Sequence, residues 1–259
     1  MDDDEVLVGI DFTADRLRVL LADVEGEPVH EGEWALPDLP DEAAWSWEVG
    51  GRVATLFAEE GNGRSALAIA VAAPGAVNPV TGRLERSLGQ PGWDGLAVVE
   101  ALRRHIDAPI AAESRVRAAL LGEAWQGAAA GLDDVLYVSL RGTPEAAILS
   151  GGRALRGARF RAGALPAFPE LPPVANPPTD PIEQTAGLLA DAAALVDPQT
   201  LVLYGLPQHL DVLVPLTQRV LTEVAPGISV TRASLGHRAA LIGAIRIAST
   251  LAYEGHRKP

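Results

Sequence analysis

The chain contains no cysteine. Disulfides and thiolate zinc sites are excluded, and no bridge pattern exists from which to read a redox compartment. Lysine is nearly absent: Lys258 is the single one, and Lys and Arg together number 21 against 34 Asp and Glu. The formal net charge of −13 and a pI of about 4.8 argue against a nucleic-acid surface, which needs a clustered basic face. The arginines read as scattered along the chain rather than gathered into a stripe. No apolar run reaches the roughly 18 residues that cross a bilayer, so no membrane span is expected. The opening residues, Met1-Asp2-Asp3-Asp4-Glu5, are acidic where a secretory signal needs a basic start and a longer apolar stretch. A soluble, cytoplasmic protein is the expectation. The five histidines, His30, His105, His209, His237 and His256, are dispersed and read as solvated side chains rather than ligands.

What is present is apolar sequence in strand and helix periods. Hydrophobic residues make up 48% of 259, enough to bury one large core or two medium ones. Residues 6–10, 18–24 and 29–34 read as an opening meander of strands, with Glu25-Gly26-Glu27-Pro28 as a turn. Residues 43–60 have a helical pattern, ended by Gly61-Asn62-Gly63 in a left-handed cap. Residues 67–73 form a strand that stops at Pro74-Gly75, and 96–106 a helix. The second half repeats the plan. Strands fall at 135–140 and 146–150, with a Gly151-Gly152 hairpin turn, then at 201–204 and 228–230. Helices fall at 182–196, 210–224 and 239–253. Strands alternating with helices predict an α/β fold with a mostly parallel sheet. Seven prolines between residues 166 and 181 forbid a regular helix or central strand there and predict an extended connector.

Three places carry side chains suited to chemistry. The segment Gly9-Ile10-Asp11-Phe12-Thr13-Ala14-Asp15 sets an aspartate at a strand end. It can face a metal or a phosphate, since Mg²⁺ takes carboxylate oxygens together with phosphates; a turn with solvated acids has the same composition. Ala73-Pro74-Gly75-Ala76-Val77-Asn78-Pro79, with Thr81-Gly82 and Pro91-Gly92-Trp93, is the second, and also reads as a loop of turn formers. The third is Glu113-Ser114-Arg115-Val116-Arg117, a strand-to-helix corner between the apolar runs 109–112 and 118–130. A guanidinium stays charged and offers donors only, so neither arginine can accept a proton. The plainer alternative makes Arg115 and Arg117 first-turn surface residues behind an N-cap Ser114.

In order and spacing these blocks resemble the ROK family of sugar kinases and sugar-responsive repressors, within the actin-like ATPase superfamily. Val8-Gly9-Ile10-Asp11, followed by Arg18-Val19-Leu20-Leu21-Ala22-Asp23, looks like the family's phosphate-loop hairpin. Ala72-Ala73-Pro74-Gly75-Ala76-Val77 with Thr81-Gly82 looks like its A-P-G-x-V block, and Pro91-Gly92-Trp93 like its P-G-W turn. Glu113 with Ala118-Ala119-Leu120-Leu121-Gly122-Glu123 frames its E-N-D-A-N block. The segments 135–140, 203–205 and 239–244 are similar to later strands and the last helix. The resemblance covers roughly residues 6–251. It implies a two-lobed, ribonuclease H-like fold of the ROK/hexokinase type, with lobes at 1–108 and 109–259 and the helix at 239–253 packing back on the first.

The resemblance also exposes departures. Arg115 stands where the family carries the aspartate that accepts the sugar hydroxyl proton, and general-base help is worth roughly 10²–10⁴ in rate. The D-x-G-G-T loop reads Asp11-Phe12-Thr13-Ala14-Asp15, without the glycines that let backbone N–H groups approach phosphate. The second phosphate loop reads Arg141-Gly142-Thr143-Pro144-Glu145. The asparagine before P-G-W becomes Gly89, and the sugar-holding E-x-G-H block falls near Ala164-Leu165-Pro166-Ala167, with no cysteine cluster after it. These residues imply no catalytic group. Glu113 and Ser114 remain as remnants of substrate binding, and Asp11, Thr13, Gly142, Thr143 and Gly205 as remnants of a nucleotide site. The implied protein is an inactive homologue with a regulatory or sugar-sensing role, needing no cofactor and no zinc. The alternatives are an active glucokinase-like enzyme using ATP and Mg²⁺, favoured by Asp11 and Glu123, and a non-catalytic module binding a sugar phosphate. Arg115 is expected to pair with Asp11 or Glu145 in the space of Mg²⁺ and the γ-phosphate; a site for an anion built from Arg115 and Arg141 is the other option. The family implies a homodimer, a carbohydrate or sugar-phosphate ligand and, without the repressors' N-terminal helix-turn-helix, no nucleic-acid contacts. Trp125, with Trp45, Trp47 and Trp93, serves either as an interface anchor or as core.

Overall fold

The first strand, β1 (Glu5–Phe12), is buried along nearly its whole length, as an apolar run covered on both faces must be. A computed structural model describes residues 5–61, 63–165, 168–169, 171 and 179–256. β1 is hydrogen-bonded to antiparallel β2 (Arg16–Ala22), and β2 to antiparallel β3 (Pro28–Ala35). Asp41 caps α1 (Glu42–Trp45) by accepting the Ala44 N–H at 2.8 Å. A π-helical turn, Ser46–Gly50, then leads into α2 (Gly51–Glu60). The sequence predicts one unbroken helix here. The wider turn holds Trp45, Val49 and Val53 on the core side at four-residue spacing and leaves Trp47 79% exposed. Gly61 follows the helix at φ −68°, and the left-handed residue of the expected Gly61-Asn62-Gly63 cap is Gly63, at φ 79°.

β4 (Ser65–Ala73) lies parallel to β1 on the side away from β2. A hairpin of β5 (Gly75–Asn78) and β6 (Arg83–Ser87) follows. α3 (Val98–Arg103) is shorter than its pattern predicts. Leu96 is held instead in a β-bridge with Leu84, whose N–H donates to the Leu96 carbonyl at 2.9 Å. β7 (Ile110–Ser114) adds parallel to β4, and α4 (Arg115–Gln126) begins at the next residue. The sheet order is β3-β2-β1-β4-β7.

A second sheet repeats this plan. β8 (Val135–Ser139), β9 (Glu145–Ser150) and β10 (Arg153–Ala154) form an antiparallel meander, with Gly151-Gly152 turning β9 into β10. α5 (Thr179–Val196) precedes β11 (Thr200–Tyr204), and α6 (Pro207–Val224) precedes β12 (Ser229–Arg232). β11 and β12 lie parallel to β8, giving the order β10-β9-β8-β11-β12. The proline connector falls mostly outside the described residues. Residues 179–181, expected to belong to it, form the first turn of α5, where Pro181 needs no intrahelical donor.

The final helix, α7 (Ala239–His256), packs on β1, β4 and β7. The chain divides into two compact units, Met1–Gly122 with Arg238–Pro259, and Glu123–His237. The division falls at Gly122 rather than after residue 108, because β7 completes the first sheet and the start of α4 packs with it. Each unit has its own core. Phe12, Leu17, Trp45, Ile69, Val71 and Trp93 are central to the first, and Leu136, Val138, Leu189, Leu201, Leu203 and Leu213 to the second.

Candidate functional site

Three parallel strands of the first unit end side by side. In register, Asp11 of β1 lies beside Ala72 of β4, and Ala72 beside Glu113 of β7. In open α/β sheets the space beyond such carboxyl ends is where ligands bind. α4 starts there, and Ser114 caps it: its Oγ accepts the Arg117 N–H at 3.4 Å. The N-cap expected at Ser114 is thus present, but the two arginines behind it are not a surface pair.

Arg115 turns back across the strand ends. Its Nε donates to Asp11 Oδ1 at 2.6 Å and its Nη2 to Oδ2 at 3.2 Å, a two-pronged contact. The Asp11 side chain is 3% exposed and that of Arg115 28%. Arg18, directly opposite Asp11 on β2, brings Nη1 to 3.8 Å from Oδ2 while its Nε donates to Glu33 Oε2 at 2.9 Å. Asp15 completes the cluster. The Thr13 hydroxyl, donating to Asp15 Oδ1 at 2.7 Å, holds the Asp15 carboxyl below the usual carboxylate range, and the charges of Arg16 and Arg115 add to this. The Asp11 pairing is therefore found as expected. Glu145, the other candidate, belongs to the second unit.

Arg117 is buried to 2% of its side chain beside an equally buried Glu113. Its Nε donates to Glu113 Oε1 at 2.7 Å, and the same oxygen accepts the Ser114 N–H at 2.8 Å. Losing one partner of such a pair costs about 3–5 kcal/mol, through the charge left behind. Glu113 and Ser114, the expected substrate remnants, are thus engaged in holding the first turn of α4.

The β1–β2 tip is closed. The Thr13 N–H donates to the Arg16 carbonyl at 2.8 Å, within the hairpin. Phe12 points the other way and packs its ring 5.1 Å from Trp45 and 5.5 Å from Trp93. The Trp93 Nε1–H donates to the Leu39 carbonyl at 2.6 Å, so the P-G-W turn is anchored by core packing. Gly75 has φ 121°, and a Cβ there would lie 2.1 Å from the Arg86 carbonyl oxygen; only glycine fits this corner. Of the four tryptophans weighed as interface anchors, Trp45 and Trp93 are core, Trp125 is half-buried and Trp47 is exposed.

In the second unit Gly142 and Thr143 stand on the exposed β8–β9 turn, with Gly142 at φ 67°. Gly205 follows β11, whose Tyr204 is in register with Ser139 of β8, and the Leu140 N–H donates to the Tyr204 carbonyl at 2.7 Å. Three of the five expected nucleotide-site remnants, Gly142, Thr143 and Gly205, therefore share one end of the second sheet. Glu123 has a structural role. It is fully buried, and its carboxylate accepts the N–H groups of Ala128, Ser234 and Leu235 at 2.7, 3.1 and 2.9 Å and the Ser234 hydroxyl at 3.1 Å. His209 is buried, contrary to the solvated reading, and His105 Nε2 lies 3.3 Å from Ser46 Oγ. Ala164 and Leu165 are described, but Pro166 and Ala167 of the expected sugar block lie outside the described residues. Among the described residues no group of three or more His, Asp or Glu is placed to hold a metal ion.

Sequence reasoning missed Arg18 and the Glu113–Arg117 pair. Both left a signal: Glu113 and Arg117 are four residues apart at a helix start, and a tight turn after Phe12 sets Asp11 across from Arg18.

Two sheets of this topology, with parallel strands ending at a helix start, define the actin-like ATPase fold of ROK hexokinases. The chain belongs to the ROK family: the ROK family model matches residues 7–165. The β-glucoside kinase of Listeria monocytogenes serovar 1/2a is 35% identical over 122 residues, 47% of this chain and 42% of that protein. The matched region thus spans less than half the length of that curated relative. A crystal structure of a ROK family transcriptional regulator, homologous to the E. coli MLC protein, superposes with a TM-score of 0.83 at 15% identity, over 98% of this chain and 80% of that one. A ROK glucokinase from Streptomyces griseus, in complex with glucose and AMPPNP, superposes with a TM-score of 0.76 at 19% identity, over 95% and 99%.

Proposed function

We propose that this chain is a ROK-family sugar kinase homologue that has lost phosphoryl transfer and serves as a regulatory, sugar-sensing module. The observation that carries this reading is the two-pronged contact of Arg115 with Asp11, at 2.6 and 3.2 Å. Mg²⁺ needs carboxylate oxygens open to it, and both oxygens of Asp11 already accept from a fixed cation. A guanidinium cannot serve as general base, and the Thr13 N–H, which would face a phosphate, is bonded within the hairpin. ATP and Mg²⁺ do not fit this arrangement. The ligand class is a sugar or sugar phosphate.

The test is a coupled assay with ATP and Mg²⁺ across hexoses and β-glucosides, run beside thermal-shift measurements. The expected result is no turnover above the blank, a Tm raised by a sugar or sugar phosphate, and no rise with ATP and Mg²⁺. Turnover at roughly 1–100 s⁻¹ that is abolished by Asp11→Ala would sink the reading. It would establish the second one, an active kinase of β-glucosides, which the 35% identity to the Listeria enzyme over 122 residues favours.

A further inference from the structure

The second unit carries an arginine surface that the candidate site does not use. Arg141, Arg153, Arg156, Arg159 and Arg161 fall within one short stretch that contains a single carboxylate, Glu145, in a chain of net charge −13. The even scatter read from the sequence fails here. Arg141 stands on the exposed β8–β9 turn. After β10 the chain closes a loop: the Ala162 N–H donates to the Arg156 carbonyl, and the Ala146 N–H to the Gly163 carbonyl, both at 3.0 Å. Ala146 is the second residue of β9, just past the turn that bears Arg141. Backbone pairing thus brings Arg141, Arg156, Arg159 and Arg161 to one end of the sheet, and all four are exposed. Arg153 lies toward the other end of β9.

Among the described residues Arg141, Arg159 and Arg161 make no ion pair. In the first unit, by contrast, Arg16, Arg18, Arg104, Arg115 and Arg117 are each held by a carboxylate. The loop has a second unusual feature. Phe160 has φ 58°, a region that side-chain-bearing residues avoid and that marks functional loops more often than others. Phe160 is half-buried while Arg159 and Arg161 on either side are exposed. The turn therefore holds an aromatic anchor and presents a guanidinium on each flank. Leu155, at the start of the loop, is 42% exposed.

We propose that this loop and the Arg141 turn form a docking surface for an acidic segment of a partner protein, in which Asp or Glu residues alternate with apolar ones. Guanidinium forks bind carboxylates with two parallel hydrogen bonds, and arginine and aromatic residues are enriched at protein interfaces. Leu155 and Phe160 supply the apolar part, which a sugar-phosphate backbone would not use. Duplex nucleic acid carries a charge about every 1.7 Å and would meet the repulsion of the remaining acidic chain; a short acidic segment touches only the patch. A symmetric contact between two copies would set this patch against itself. The inference stands whether or not phosphoryl transfer is lost.

The full chain is titrated against a fluorescent synthetic peptide of alternating glutamate and leucine, at low and high salt, with anisotropy as the readout. Single-stranded DNA of matched charge and inorganic phosphate are the competing probes. The peptide is expected to bind, more weakly at high salt, and more tightly than the DNA at equal salt. Arg159→Glu with Arg161→Glu weakens binding at least tenfold while the Tm stays that of the parent. Arg159→Ala with Arg161→Ala gives a smaller loss in the same direction. No peptide binding, binding indifferent to either double variant, or preference for DNA overturns the proposal.

Discussion

A metal ion exchanges its ligands; a guanidinium on a helix start does not. Arg115 neutralises Asp11 through two bonds of fixed direction, and the aspartate is nearly sealed from water. Removing the arginine leaves that charge facing Arg18, 3.8 Å away, as its one ion-pair partner among the described residues. Arg115→Ala should therefore destabilise by about 3 kcal/mol, the low end for an orphaned buried charge. Adding Asp11→Asn to it removes the charge and should recover much of the loss. Urea denaturation of the two single variants and the double one reads this directly as a cycle. Additive losses would mean that the pair is not energetically coupled, and Arg115 would return to being a surface residue. The sequence allowed this residue three fates: a buried partner of Asp11 or Glu145, half of an anion site with Arg141, or an exposed first-turn charge. Composition does not separate them, because the choice depends on how β1, β4 and β7 align their ends.

At the scale of elements, the close approach of α4 and α7 rests on two glycines. A Cβ on Gly243 would lie 1.7 Å from the Ala118 carbonyl oxygen, and one on Gly122 would lie 2.2 Å from that of Ala239. Both obstacles are backbone, so neither can swing aside. Gly243→Ala should cost about 3 kcal/mol or more, at the upper end for overpacking. Gly187→Ala, in α5 where nothing lies within 4 Å of the added carbon, should stabilise by about 1 kcal/mol through helix propensity. Thermal unfolding of both variants checks the contrast, and similar shifts of the same sign would refute it. Most strands and helices were legible because a buried strand or an amphipathic helix writes its period into the sequence, as residues 6–10 and 210–224 do. What was not legible has one cause. The π turn at Ser46–Gly50 and the shortened α3 go with contacts distant in sequence, Ser46 to Ala101 and Leu84 to Leu96, which a local period does not encode.

At the scale of the molecule, the repeat of one sheet plan in two units and the excess of acid are the governing facts. The repeat could be read from the sequence as a return of the strand-and-helix order after residue 135, but the unit boundary could not. It depends on β7 joining the first sheet and on α7 returning to it. The acid excess, −13 in 259 residues, sets how the fold responds to salt. Like charges spread over a compact surface repel, and unfolding relieves that repulsion. Salt screens it: the Debye length falls from about 30 Å at 0.01 M to about 8 Å at 0.15 M. The exposed pairs that salt also weakens, such as Arg16–Glu33 and Arg232–Asp211, are worth about 1 kcal/mol or less each. The buried Glu113–Arg117 pair is screened little. Repulsion summed over the whole surface should outweigh those few pairs, so the Tm should rise by a few degrees as NaCl increases from about 0.01 to about 0.2 M, a range over which the Debye length changes most. Differential scanning fluorimetry across that series decides the matter. A steady fall in Tm would mean that the surface ion pairs, rather than the net charge, control the salt response of this fold.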